Sequence, residues 1–312
     1  MRCLFILDPL DSLNLATETS LLLIEELARR GHQAQVATVA GLYLTEHGAA
    51  VRAQPIAIDL ARQPFYQLGG ALDQDFGAFD LVLMRKDPPV DETYLVATHI
   101  LERAAAVVPV INDPVSLRTM NEKLLPLSLP QFSPPTLVSN DVERLVAFAA
   151  AHRRVVLKPL EDCSGRGIEV VQHTEAAARI PPYVAARGGR HIIAQRFVDG
   201  VAAGDKRIFL LAAEPIGAVN RVPQTPDHLA NIHQGARVEA TTITDRERAI
   251  IAAVRPLLLE RRIAMAGIDV IDGYLTEINI TSPSAVRQIN AVSGSHLEVP
   301  IVDFLERAAL RG

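Results

Sequence analysis

The stretch Gly267-Ile268-Asp269-Val270-Ile271-Asp272-Gly273-Tyr274-Leu275-Thr276-Glu277-Ile278-Asn279-Ile280 constrains the fold more than any other part of the chain. An Asp-Gly pair between two runs of strand-forming residues predicts a tight hairpin. Side chains alternate faces along a strand, so register decides which of them meet. A two-residue turn pairs Ile268 with Glu277 and mixes acid with aliphatic on one face. A three-residue loop over Asp272 to Tyr274 pairs Asp269 with Glu277 instead. Ile268, Val270, Ile278 and Ile280 then share one face, and Asp269, Glu277 and Asn279 share the other. Only this register separates polar from apolar, and it is the one we expect. Two carboxylates and an amide oxygen on one face are hard ligands of the kind Mg²⁺ takes, with Mn²⁺ a second candidate. A solvated strand face reads the same way, and the hairpin alone does not choose between them.

Upstream, apolar periodicity divides the chain. Leu4 to Leu7 reads as a buried strand, Thr19 to Arg30 as a helix stopped by Gly31, and Gln35 to Val39 and Leu81 to Met84 as further strands. A helix over Thr93 to Ala106 and the apolar run Val107 to Ile111 complete a β-α-β rhythm, which implies a parallel sheet covered by helices. The run Leu129-Pro130-Gln131-Phe132-Ser133-Pro134-Pro135 reads as a connector. Beyond it we expect a helix over Val142 to Ala151 and strands at Arg154 to Lys158, Ile168 to Val171, His191 to Phe197 and Arg207 to Ala212. Helices near Arg246 to Arg261 and Val299 to Ala309 flank the hairpin. Three segments describe this organisation: 1–120, 121–199 and 200–312.

A second feature points at phosphate. The strand ending in Lys158 runs into Pro159-Leu160-Glu161-Asp162-Cys163-Ser164-Gly165-Arg166-Gly167 and then re-enters a strand. Such a glycine loop can turn backbone N–H groups towards a phosphate, and Lys158 can reach its oxygens. It lacks the Gly-Lys-Ser/Thr helix start of a P-loop, and a plain glycine hairpin remains open. No base stands beside Cys163, and His228 and His233 have no cysteine partners for zinc, so both read as loop residues.

Composition removes several classes. With 31 Lys+Arg against 36 Asp+Glu, the net charge of −5 gives no electrostatic footing on nucleic acid or anionic membrane. Two cysteines, Cys3 and Cys163, cannot build a disulfide framework. No span approaches the ~18 apolar residues that cross a bilayer, and the opening run is too short for a signal peptide. A cytoplasmic protein is expected.

Asp8-Pro9 followed by Asn14, the run Asp80-Leu81-Val82-Leu83-Met84-Arg85-Lys86-Asp87-Pro88-Pro89, Asn121-Glu122-Lys123-Leu124, Gly204-Asp205-Lys206-Arg207 and Leu275 to Pro283 occur in collinear order over nearly the whole chain. Together with the hairpin and the glycine loop they resemble the ATP-grasp superfamily of carboxylate–amine ligases, and within it the bacterial glutathione synthetases. The resemblance implies an α/β ATP-grasp fold: an N-terminal parallel α/β domain, then two α+β subdomains clasping ATP. It implies Lys123 and Lys158 on the ATP phosphates, Ser164, Gly165, Arg166 and Gly167 as a lid over them, and backbone groups of Gln195, Arg196, Phe197 and Val198 on adenine. Asp205 would hold the ribose, and Asp269, Glu277 and Asn279 the magnesium ions. Arg207 would stabilise the transferring phosphoryl group. Arg85, Thr281 and Ser282, with Asn231, His233 and Gly235 in a mobile loop, would hold the acid substrate. The implied chain is a homo-oligomer acting on small molecules.

Two stretches depart from the family pattern. The phosphate loop is poorer in glycine, and Leu229-Ala230-Asn231-Ile232-His233-Gln234-Gly235-Ala236-Arg237 replaces the usual Arg-Gly-Asn-Leu run. Both are closer to ligases that attach amino acids to other carboxylates. The expected reaction is amide formation through an acyl phosphate, with γ-glutamylcysteine and glycine as acid and amine, and another acid as the alternative. A nucleotide-binding regulator without turnover would have little use for the intact Asp269, Glu277 and Asn279 set. A dinucleotide-dependent oxidoreductase lacks its Gly-x-Gly-x-x-Gly after the first strand.

Overall fold

A computed structural model describes residues 1–161, 167–224 and 236–310. The first sheet is built from β1 (Arg2–Ile6), β2 (Gln33–Ala37), β3 (Leu42–Thr45), β4 (Gly48–Ile58), β5 (Tyr66–Leu68), β6 (Leu72–Asp75), β7 (Leu81–Met84) and β8 (Val110–Ile111). Its order is β3-β4-β2-β1-β7-β8, with β5 and β6 also paired to β4. The strands β2-β1-β7-β8 run parallel, as the β-α-β rhythm predicts. Residues 42–75 add an antiparallel extension that the sequence reading did not anticipate, so the sheet is mixed.

Helices α1 (Thr19–Arg29), α2 (Glu92–Ala104) and α3 (Pro114–Thr119) flank this sheet. Helix α1 ends where Gly31 takes φ +79° and returns its N–H to Ala28 O, a left-handed position that glycine fills without strain. The run from Cys3 to Leu7 is apolar throughout because both faces of β1 are covered. Leu4 and Ile6 pack in one core with Tyr94, Ala97 and Leu101 of α2. Cys3, Phe5 and Leu7 pack in another with Leu23, Ile24 and Leu27 of α1.

The second sheet is wholly antiparallel, in the order β11-β10-β12-β9, from β9 (Thr136–Ser139), β10 (Arg154–Pro159), β11 (Glu169–Gln172) and β12 (Ile192–Arg196). Strand β9 directly follows the proline-rich connector. Helices α4 (Val142–Ala151) and α5 (Ala176–Ala185) close a separate core over it, from Leu145, Ala149, Val155, Leu157, Ile180 and Ile192.

The third sheet runs β15-β14-β13-β16-β17, also antiparallel, from β13 (Asp205–Leu211), β14 (Glu214–Val222), β15 (Arg237–Ala240), β16 (Met265–Ile271) and β17 (Tyr274–Asn279). It shares both cores of the first sheet. Ile208, Leu210, Ile268 and Ile278 join the α2 side, where α6 (Asp245–Glu260) contributes Ile250 and Val254. Phe209, Leu211 and Val219 join the α1 side with Ile289 of α7 (Val286–Ser293) and Ile301 and Leu305 of α8 (Glu298–Ala309). The first and third sheets are therefore one packed body, and the second sheet is a lobe with its own core.

Asn112 fastens that body. Its Nδ2 donates to Met265 O and Ile280 O, both at 2.7 Å, and its Oδ1 accepts from Ala264 N and Met265 N, both at 2.9 Å. One buried carboxamide thus uses its full hydrogen-bonding capacity to tie the end of β8 to both hairpin strands. No helix among the described residues is long and apolar enough to cross a membrane.

Candidate active site

The hairpin reaches the expected pairing by a different route. Ile271 pairs with Tyr274 across a two-residue Asp272-Gly273 turn, both residues at positive φ (49° and 73°) as a type I′ turn requires. A bulge then shifts the register, so that Val270 faces Leu275 while Asp269 faces Glu277. Thr276 is the extra residue, and its hydroxyl donates to Asp269 O at 3.2 Å. The three-residue loop was the wrong device for the right register. Burial explains the outcome: Ile268, Val270, Leu275, Ile278 and Ile280 are all at most 2% exposed. Turning such a set outward by a one-residue slip would cost on the order of 10 kcal/mol. The bulge lets both the favoured turn and the buried face persist.

On the polar face, Asp269 carries most of the contacts. Arg207, its cross-strand partner on β13, grips it with Nε at 2.5 Å and Nη2 at 2.9 Å. Arg221 of β14 donates Nη2 to Asp269 Oδ1 at 2.9 Å and to Asp205 Oδ2 at 2.7 Å. Asn279 Nδ2 lies 3.3 Å from Asp269 Oδ2. Burial works to raise the Asp269 pKa, but Arg207 and Arg221 together hold it at about 2. Asp205 goes the other way: burial lifts it to about 6 against the pull of Arg221. Asp205 Oδ1 is buried and has no hydrogen-bond partner among the described residues. Arg207, expected at a transferring phosphoryl group, is held by Asp269 here.

Two lysines stand opposite. Lys123 Nζ lies 3.8 Å from Glu277 Oε1. Lys158, on β10, donates to Gln195 Oε1 at 2.9 Å, and Gln195 Nε2 passes the contact to Thr136 Oγ1 at 2.9 Å. Burial pushes the Lys158 ammonium pKa down, while Glu277 pulls it up and Lys123 pushes it further down. The site therefore sits where the lobe meets the third sheet. It sets Lys123, Lys158, Arg207 and Arg221 against Asp205, Asp269 and Glu277, a balance suited to a polyanion.

The other expected residues fall in three places. Backbone N–H groups of Arg196 and Phe197, expected at adenine, are engaged by Pro135 O and Arg154 O. Gly167, at φ +69°, has its carbonyl held by Tyr183 Oη at 2.6 Å and Arg187 Nη2 at 3.1 Å. Arg85 is buried between Ser20 Oγ (3.1 Å) and Pro283 O (2.9 Å), with Nη1 unpartnered. Thr281 is buried with its hydroxyl on Glu122, and Ser282 follows it beside Asp87. Ser164, Gly165, Arg166, Asn231, His233 and Gly235 lie outside the described residues.

Sequence reasoning missed Arg221, Asn112 and the role of Glu122. Arg221 had a signal: a cation inside an apolar strand, facing Asp205 in register. Among the described residues no group of three or more His, Cys, Asp or Glu is placed to hold a metal by itself. The set here is two acids and an amide, so a cation would draw further oxygens from a ligand.

Comparison with known proteins finds relatives over nearly the whole chain. Two family models match: the N-terminal domain of prokaryotic glutathione synthetase over residues 1–118, and its ATP-grasp domain over residues 122–294. A glutathione synthetase of Gloeobacter violaceus is 40% identical, covering 98% of this chain and 96% of that protein. One from Xanthomonas campestris is 38% identical, covering 96% of each. Among solved structures, a D-cycloserine synthetase superposes with a TM-score of 0.64 at 18% identity, covering 90% of this chain and 92% of that one. The D-alanine–D-alanine ligase of Bacillus anthracis gives 0.61 at 10% identity, covering 99% and 97%. At such identities these two show the ATP-grasp fold alone. The two family models leave little of the chain uncovered, and the identity to the curated relatives runs end to end; the chain belongs to the prokaryotic glutathione synthetase family.

Proposed function

We propose that this chain is an ADP-forming carbon–nitrogen ligase that makes glutathione, joining the cysteinyl carboxylate of γ-glutamylcysteine to the amine of glycine. The carrying observation is the meeting of Lys123 and Lys158 with the Asp205, Arg207, Arg221, Asp269 and Glu277 network at the edge of the lobe. A substrate carboxylate oxygen attacks the γ-phosphorus of ATP, and ADP leaves. The glycine amine attacks the carbonyl carbon of the resulting acyl phosphate. Phosphate departs with the carboxylate oxygen, and the amine loses its proton.

Lys123 and Lys158 would bind phosphate oxygens, which favours the charged form of Lys158 that burial opposes. The unpartnered Asp205 Oδ1 suits a ribose hydroxyl. Arg207 would turn a donor towards the transferring phosphoryl group. Asp269, Glu277 and Asn279 would hold Mg²⁺, whose charge would offset that of the phosphates. Arg85, Thr281 and Ser282 would bound the acid pocket, from which water must be kept because an acyl phosphate hydrolyses. Residues 1–120 and 200–312, which share their cores, would form one body and 121–199 the lobe that closes on it, in a cytoplasmic homo-oligomer.

Purified protein supplied with ATP, Mg²⁺, γ-glutamylcysteine and glycine should release ADP and form glutathione in step. ADP release with a different acid or amine, and none with this pair, would refute the substrate assignment.

A further inference from the structure

Strand β17 ends at Asn279, but the chain beyond it is not left free. The chain runs on through Ile280 and Thr281 to Ser282 and Pro283, and side chains from distant segments hold this extension nearly residue by residue. Asn112 Nδ2 donates to Ile280 O at 2.7 Å, and Arg85 Nη2 donates to Pro283 O at 2.9 Å. Between them, Glu122 Oε1 accepts three hydrogen bonds: from Ile280 N at 2.6 Å, Thr281 N at 2.8 Å and Thr281 Oγ1 at 2.8 Å. The Glu122 carbonyl accepts Ile278 N at 3.0 Å. Its neighbours reach the other side of the site. Asn121 Nδ2 donates to Leu160 O at 3.2 Å, at the mouth of the glycine loop, and Lys123 stands 3.8 Å from Glu277.

We propose that Glu122 is a positioning residue of the ligase reaction. It sets the offset between Glu277 and Asn279 on one side and Thr281 and Ser282 on the other. That offset fixes where the acid carboxylate lies relative to the γ-phosphate. The role rests on the ligase reading above and adds to it a residue that never touches substrate. Simple capping of a strand end does not account for the arrangement. Two backbone N–H groups alone could be satisfied by water, without a side chain that also takes the Thr281 hydroxyl and whose own carbonyl holds Ile278 N. A single carboxyl oxygen that meets three donors at 2.6–2.8 Å makes short, geometrically restrictive contacts. That restriction is applied at the one point where the nucleotide side of the hairpin becomes the acid side.

The test compares wild-type enzyme with Glu122→Gln and Glu122→Asp. It measures KM for ATP and for the acid, kcat for amide, and ADP released per amide formed. Glu122→Gln keeps the reach and exchanges the carboxyl for a carboxamide; Glu122→Asp keeps the carboxyl and falls short by one carbon. Displacement by ~1 Å is worth about a hundredfold in rate, and we expect that loss in kcat for Glu122→Asp and a smaller loss for Glu122→Gln. The KM for ATP should hardly move. ADP per amide should rise above one as misplaced acyl phosphate is lost to water, a change that a lower folded fraction cannot produce. Should either variant fail to fold, Thr281→Val deletes a single donor to Glu122 and should shift the same ratio in the same direction. A one-to-one ratio with unchanged kcat in all three variants overturns the role alone. A wild-type chain that makes no amide overturns the ligase reading and the role together.

Discussion

Replacing Asn112 with alanine is the sharpest test of how the hairpin is mounted. The substitution removes one side chain and strands four buried backbone groups: Ala264 N, Met265 N, Met265 O and Ile280 O. At a net ~1 kcal/mol per hydrogen bond the loss is about 4 kcal/mol. Buried groups left wholly dry would raise it further, and entry of a water would bring it back. The figure is a large share of the 5–15 kcal/mol that typically separates folded from unfolded protein. With a urea slope of ~3 kcal/mol per molar, the unfolding midpoint should fall by about 1.3 M. Asn112→Leu should lose at least as much, because it fills the space and satisfies none of the four groups. Urea titration followed by far-ultraviolet circular dichroism reads the midpoint. A shift below about 0.3 M, equivalent to roughly 1 kcal/mol on the same slope, would show that these bonds do not hold the first and third sheets together.

Further outcomes follow from other residues. Glu277→Gln should cut ADP formation at least a hundredfold with an unchanged melting temperature, since it removes a partly exposed charge and no core contact; near-normal turnover would contradict its role at the cation. Asp205→Asn should raise the KM for ATP about tenfold, the weight of one hydrogen bond to a charged group, and leave the KM for the acid unchanged. Burial pushes the Cys3 thiol up to about 12, so it should resist a thiol reagent at pH 8 until denaturant is added. Glu26 is lowered from 4.5 to about 2 by its hydrogen bond to Arg29, with Arg30 adding to it. A depressed carboxylate stabilises the fold above its unfolded pKa and loses that contribution as pH falls. The melting temperature should therefore drop from pH 5 to pH 3, and less steeply in Glu26→Gln.

What was legible in the sequence and what was not have physical reasons. Helices such as Val142–Ala151 and Asp245–Glu260 were readable because their apolar stripes repeat at helical spacing and their starts carry capping residues. The pairing of Asp269 with Glu277 was readable because only that register puts Ile268, Val270, Ile278 and Ile280 on one face and Asp269, Glu277 and Asn279 on the other. The bulge at Thr276 was not, since its effect is to move Leu275, which a three-residue loop would leave on the Glu277 face, opposite Val270 and into the core. Strands β3 to β6 escaped because they form a half-exposed antiparallel patch, with residues such as Leu44 and Leu72 open to solvent. Arg221, Asn112 and Glu122 escaped for a different reason. Their partners lie 16, 153 and 158 residues away, and only tertiary packing brings each polar group to an unmet counterpart. Lys123, Lys158 and Arg207 came from stretches the sequence reading had singled out, whereas the roles of Arg221, Asn112 and Glu122 came from the structure.

The account stands on activation of the acid as its acyl phosphate, and oxygen transfer tests that step directly. γ-Glutamylcysteine carrying ¹⁸O in its cysteinyl carboxylate would be turned over with ATP and glycine, and the phosphate examined by mass spectrometry. The mechanism predicts one ¹⁸O atom in each phosphate released, carried over from the carboxylate. Phosphate free of the label, formed alongside glutathione, would contradict it.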